Sequence, residues 1–297
     1  MVRRVATVLL VVGGAIFFPR AGAADSDAVK RGEALFAAAD CTGCHTDAKG
    51  GGQPLAGGPP LVTPFGTFYA PNITSDREYG IGAWSETEFH NALRHGVGRR
   101  GQYLYPVFPF PSFTGMSDGD IADLFAYLQS RPAVAQPNKP QAATPPFGWR
   151  FLLLGWRILF FREGPLQPVP GKSEEWNRGR YLAEAVAHCP ECHTPRNMFG
   201  ALKTSLAFSG NPNGPDNQKA PNITGDAESG IGKWSADDVA TLLKTGQTPD
   251  FDFVGSGMSQ VVKGTETLSD ADRHAISVYI KSLPAIHTAR AEKKPAS

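Results

Sequence analysis

One five-residue word constrains this chain more than any other feature, because it is spelled twice and uses every cysteine: Cys41-Thr42-Gly43-Cys44-His45 and Cys189-Pro190-Glu191-Cys192-His193. On a helix, residues at i, i+3 and i+4 share one face. Two thiols can therefore bond to one edge of a ligand while the histidine turns toward its centre. This is the attachment pattern of c-type haem. It predicts two covalently bound c-type haems, with Cys41, Cys44, Cys189 and Cys192 forming thioethers and His45 and His193 ligating iron. A four-thiolate zinc site or a redox dithiol would use the same C-x-x-C pairs, but neither requires the adjacent histidine. A disulfide-stapled fold needs cysteine at far higher density than four in 297 residues.

The words belong to a longer repeat. Ala70-Pro71-Asn72-Ile73-Thr74-Ser75-Asp76-Arg77-Glu78-Tyr79-Gly80-Ile81-Gly82-Ala83-Trp84-Ser85 returns at 220–235 with only positions 75, 77, 79 and 83 exchanged. Self-similarity of this kind marks duplicated structural units. In the first unit, residues 28–39 have helical composition and lead into the word. A Gly- and Pro-rich loop covers 50–65. Ser85 with Glu88 forms a capping box that opens a helix to about His95, and Ile121, Leu124, Phe125 and Leu128 pattern a closing helix ended by Arg131-Pro132. The second unit repeats the plan over 174–188, 235–244 and 269–284. Strand signals are sparse, so the expected fold class is all-α. Each unit is too small to build a large core without a buried porphyrin.

The chain opens with Arg3 and Arg4, an apolar run over 5–18 and Ala21-Gly22-Ala23, the layout of a secretory signal peptide cut after Ala23. A retained anchor is the alternative, although the run is short of the ~20 residues that span a bilayer. Removing 1–23 leaves 26 basic against 28 acidic residues, a formal charge of −2. No basic patch suggests nucleic acid as a partner. Export to the periplasm agrees with attached haem.

Between the units, residues 136–146 read as a Pro- and Ala-rich linker. The stretch from Phe147 to Phe161 follows, with Trp149 and Trp156, and Arg150 and Arg157, each seven apart. A helix there would carry an aromatic stripe beside a basic one, too short and too polar to cross a membrane. It can pack between the units, dock on a dehydrogenase partner or lie on a membrane surface.

A His–Met pair gives a low-spin, comparatively high-potential iron suited to electron transfer. Met116 and Met258 are the candidate metal ligands, 71 and 65 residues after His45 and His193. Met258 sits in Gly255-Ser256-Gly257-Met258-Ser259-Gln260, which reads as a flexible loop. Met116 precedes Ser117-Asp118 as Leu268 precedes Ser269-Asp270, so it reads either as a ligand or as a staple residue of the closing helix. In the second case the place answering to Met258 falls near Phe108. His90 and His95 are alternative ligands, and His287 is expected to be exposed. Pro54, Pro59 or Pro195 is the expected source of a carbonyl orienting the ligating histidine. Trp84 and Trp234 read as propionate donors or as core. Asn72-Ile73-Thr74 and Asn222-Ile223-Thr224 match a glycosylation sequon, but their place in the repeat favours a haem-pocket loop.

Units of this shape resemble the class I cytochrome c fold, in which the first and last helices cross beside the haem. Gly32, Phe36 and Tyr127, and Gly179 and Tyr279, match its crossing residues. Nearly the whole chain from 24 onward resembles the multihaem cytochrome c subunits of membrane-associated bacterial alcohol, aldehyde and gluconate dehydrogenases and their dihaem relatives. The carriers are the two words, Ala70 to Ser85, Leu104-Tyr105-Pro106, Met116-Ser117-Asp118, the connector from Trp156 to Phe161, Trp176-Asn177-Arg178-Gly179 and Thr194-Pro195-Arg196-Asn197. The three-haem members carry a methionine where this chain has Phe108, and no third word is present here, so the dihaem relatives fit better.

The resemblance implies cytochrome c domains over 24–135 and 173–285, a linker with a short aromatic and basic helix over 136–172, and a tail over 286–297. It also implies a carrier of single electrons from a dehydrogenase to a downstream cytochrome, quinone or oxidase, with no catalytic residues of its own. The alternative is a dihaem redox enzyme, peroxidase-like or thiosulfate-oxidising, with a labile ligand at the first iron.

Overall fold

The computed structural model describes residues 25–214 and 219–288; the predicted signal peptide and the end of the tail lie outside the described residues. The fold is mostly helical. In the first half come α1 (Ser26–Ala38), α2 (Cys41–His45), α3 (Glu86–His95), the single turn α4 (Phe110–Phe113) and α5 (Asp118–Gln129). α6 (Leu152–Phe160) connects to α7 (Glu174–Tyr181), α8 (Cys189–His193), α9 (Ala236–Thr245), α10 (Ser256–Thr265) and α11 (Asp270–Lys281).

Caps set the boundaries. Ser85 and Glu88, and Ser235 and Asp238, form reciprocal capping boxes on α3 and α9. Gly96 and Gly246 end those helices in the left-handed region that glycine reaches without a Cβ penalty. In each half the first helix packs on the last, α1 on α5 and α7 on α11. The crossing is close because glycine stands at it: a Cβ on Gly32 would lie 2.0 Å from the Asp123 carbonyl oxygen, and one on Gly179 1.9 Å from that of Ala275. Phe36 and Tyr127 meet at 5.0 Å between ring centroids, an aromatic contact worth roughly 0.5–1.5 kcal/mol beyond its buried area.

Three sequence expectations are corrected. Part of the Gly- and Pro-rich loop forms a hairpin, β1 (Pro60–Thr63) with β2 (Gly66–Tyr69), and the linker adds β3 (Ala142–Ala143) to its edge. The linker is also strapped down: the Asn138 carboxamide oxygen accepts from Asn72 N–H at 2.6 Å and its nitrogen donates to the Tyr79 carbonyl at 2.7 Å. Second, α7 does not run uniformly to the word but passes through a π-helical turn, Leu182–Val186. Gly32 precedes Cys41 by nine residues and Gly179 precedes Cys189 by ten, so the wider turn accommodates the one extra residue.

Third, the connector presents no basic stripe. Arg150 lies over the Tyr105 ring at 4.3 Å, and Arg157 over Tyr103 at 4.8 Å and Phe161 at 4.7 Å. The outward face is apolar instead, with Phe151, Ile158 and Leu159 about two-thirds exposed. Among the described residues no helix is long and apolar enough to cross a membrane.

The halves meet reciprocally. α10 packs on α1, where a Cβ on Gly264 would lie 2.0 Å from the Ala37 carbonyl oxygen, and α4 packs on the π-helical turn, where a Cβ on Gly115 would lie 2.9 Å from Ala185 Cβ. Ala37 and Ala185 each stand four residues before the first cysteine of a word. In both directions a segment that precedes one half's closing helix thus packs on the helix that leads into the other half's word. Ser112 donates to Glu191 at 3.0 Å, and Ser117 N–H to the Tyr181 hydroxyl at 3.1 Å, across the same boundary.

Candidate haem sites

Both words are single helical turns, α2 and α8, so each Cys-x-x-Cys-His set shares the face its spacing requires. The residue ahead of each, Asp40 (φ 46°) and His188 (φ 40°), adopts a left-handed conformation that turns the chain out of the preceding helix. Asp40 also accepts from Gly43 N–H at 3.2 Å. None of the four cysteines is in a disulfide. Burial pushes the thiols of Cys41, Cys189 and Cys192 up, that of Cys189 to about 12.

The histidines are oriented by the repeated loops. Nδ1 of His45 lies 2.7 Å from the Pro71 carbonyl oxygen, and Nδ1 of His193 2.8 Å from that of Pro221. A carbonyl can only accept, so Nδ1 carries the hydrogen and Nε2 keeps its lone pair. Burial holds both rings' proton affinity below the ordinary imidazole value, opposed by these hydrogen bonds. Each word thus offers two thiols and one neutral, correctly tautomerised imidazole, the donor set that a covalently held haem needs.

The orienting carbonyls belong to Pro71 and Pro221, not to Pro54, Pro59 or Pro195. Their position inside the 16-residue repeat was the available signal, since what recurs with both words must serve both. The loops are built alike. Asn72 Oδ1 accepts from Thr74 N–H at 2.9 Å and Thr74 Oγ1 at 2.7 Å, and Asn222 does the same for Thr224. Both asparagines are buried, which removes the sequon reading. Thr46 and Thr194, just after each word, accept from Leu55 and Phe208 N–H at 3.0 Å in both cases, and Ile73 and Ile223 N–H donate to the carbonyls of those residues. Sequence reasoning did not single out this pair of threonines.

Met258 does not lie in a loop: it is in the first turn of α10 and partly buried against the core. Met116 is fully buried in the turn between α4 and α5. Leu104 N–H donates to the Gly96 carbonyl as Val254 N–H does to that of Gly246, so Phe108, four residues on, answers to Met258. Met116 answers to Leu268. A buried arginine donates to the carbonyl of each, Arg94 from α3 to Met116 at 2.6 Å and Arg273 from α11 to Leu268.

The remaining candidates are engaged elsewhere. His90 is paired with Asp118 at 3.0 Å, His95 with Glu163 at 2.9 Å and the mostly exposed His287 with Asp226 at 3.5 Å. Trp84 and Trp234 pack against the core.

The cytochrome c family profile matches residues 29–132. Over 260 residues the chain is 41% identical to a diheme cytochrome c-type protein of Cereibacter sphaeroides, covering 86% of each. It is 41% identical over 292 residues to the gluconate 2-dehydrogenase cytochrome c subunit of Pantoea cypripedii, covering 94% of this chain and 65% of that one. The corresponding values for the fructose dehydrogenase cytochrome subunit of Gluconobacter japonicus are 38% over 285 residues, 94% and 58%. The chain therefore spans less than two thirds of those two subunits and most of the diheme protein. Sequence words, helical architecture and relatives agree, and the chain belongs to the cytochrome c family.

Proposed function

We propose that this chain is a periplasmic dihaem cytochrome c that passes single electrons from a dehydrogenase partner to a respiratory-chain acceptor and transforms no substrate itself. The observation that carries the reading is the paired geometry at His45 and His193: each Nδ1 is committed to a proline carbonyl, on a helical turn that also carries two cysteines outside any disulfide. Two such sets, in halves with the same helix order, support tandem class I cytochrome c domains over 24–135 and 173–285. Dehydrogenase cytochrome subunits among the relatives support the electron-transfer role and the choice of donor. The segment over 1–23 supports export.

A bound haem would supply reversible one-electron iron chemistry; the protein supplies ligation, burial and placement. Cys41 and Cys44, with Cys189 and Cys192, would hold the porphyrins, and His45 and His193 would face the irons. Met258 is the sulfur assigned to the second iron. Met116 is assigned to the first, as the methionine buried in the core of that half. Because Met116 answers to Leu268 rather than to Met258, the two irons would take their sulfur from non-equivalent segments and differ in potential. The charge-free outward face of α6 supports association with a membrane surface rather than a span.

Intact mass and pyridine haemochrome analysis of the exported protein test the reading, followed by reduction with a periplasmic dehydrogenase and its substrate. Two covalent porphyrins and electron uptake are expected. A mass without porphyrin adducts would reject it.

A further inference from the structure

The two words are preceded by different residues, Asp40 and His188, both left-handed and both turned toward the boundary between the halves. His188 Nε2 lies 3.1 Å from the Ala39 carbonyl oxygen, and its ring meets Phe113 at 5.4 Å between centroids. Asp40 in turn is within 3.5 Å of the Gln260 side-chain nitrogen on α10. Beside them Ala38, Ala39, Ala185, Val186 and Phe113 are buried, while Asp40 and His188 themselves are partly buried.

We infer that the boundary built around Asp40 and His188 is the internal electron path between the two haem sites, with His188 and Gly264 as the positioning residues that fix their approach. The inference rests on the dihaem reading above and adds the route. Thioethers at Cys41 and Cys189 would tie one edge of each porphyrin to a residue directly bonded to Asp40 or His188. Alanines and the missing Cβ of Gly264 let backbone approach backbone there, and the buried side chains beside Asp40 and His188 are apolar. α10, which carries Met258, leans on α1 of the other half, so movement at the boundary would be felt at the ligand side of one site and the thioether side of the other. Bound haems would exchange one electron, one iron oxidised as the other is reduced, and the residues of the boundary would change neither bonds nor protons in doing so.

Two porphyrins held close in one orientation couple excitonically, so the fully loaded protein is expected to show a two-signed circular dichroism couplet in its Soret band. After flash reduction, equilibration between sites is expected to be independent of protein concentration. His188→Ala should diminish the couplet and slow equilibration without changing the haem count or the absorption spectrum, and His188→Gln, which keeps a donor for the Ala39 carbonyl, should restore part of both. Gly264→Leu should abolish the couplet. A wild-type protein with two haems but a single-signed band, or with equilibration that depends on concentration, would overturn the inference and leave the dihaem reading intact. Fewer than two haems by haemochrome would reject the parent reading instead.

Discussion

His45 donates its Nδ1 hydrogen to the carbonyl of Pro71, 2.7 Å away and 26 residues further along the chain. The bond joins the word to the repeated loop, so the residues that would attach a cofactor and those that aim its ligand are separate sequence features brought together by folding. His193 and Pro221 reproduce it at 2.8 Å.

Attachment should be separable by half. Cys189→Ala with Cys192→Ala is expected to leave one covalent haem per chain, at Cys41 and Cys44, counted by intact mass. The emptied half should melt first, because a unit this small depends on the porphyrin for much of its apolar interior.

Met258→Leu preserves volume and removes the sulfur. The second iron should lose its thioether-to-iron charge-transfer absorption and its low-spin signal. Its potential should fall by on the order of 100 mV, within the ~0.8 V range that axial ligation commands; a redox titration reads both irons in one experiment. Met116→Leu should do the same at the first iron, and an unchanged spectrum would instead make Met116 the staple its match to Leu268 suggests.

Gly179→Ala places a methyl against the Ala275 carbonyl. Overpacking costs about 1–3 kcal/mol, partly offset by the ~1 kcal/mol by which alanine surpasses glycine inside a helix. A net loss is expected, lowering Tm by a few degrees in calorimetry, and Gly32→Ala should behave alike. Gly119→Ala, with open space around it, should be neutral or slightly stabilising.

Asp226 accepts from Ser229 N–H and hydroxyl and from Glu228 N–H, which holds its carboxyl at about 2, below the ordinary 3.8. A depressed folded pKa contributes stability that is fully present above the unfolded value and lost as pH falls through the folded one. Asp226→Asn should therefore flatten the decline in urea midpoint between about pH 4 and about pH 2, with little change in its slope near neutrality.

The outward face of α6 predicts binding to neutral phospholipid vesicles by flotation. Ile158→Asp with Leu159→Asp places two charges on that face and should abolish binding without disturbing the haem spectrum. A wild-type protein that fails to float would remove the membrane-surface reading.

Much of this molecule was legible in one dimension. The words, the capping boxes at Ser85 and Ser235, the glycines at the helix crossings and the duplicated plan are all short-range patterns, and each reports chemistry that a single turn or helix face can express. The hairpin was hidden by its Gly and Pro content, and α10 by the glycines around Met258, whose helix is held against α1 and α9 rather than favoured by propensity. Pro71 and Pro221 could be found as recurring residues but not as acceptors, because a carbonyl's direction is a property of a folded loop. What the primary structure determined is the set of donors each half presents, two thiols and an imidazole on one helical turn, since that depends on residue type and spacing within five positions. The meeting of His188 with Ala39 and Phe113 was decided only by tertiary structure, because it brings together surfaces from the two halves, 149 residues apart at Ala39, each unremarkable alone.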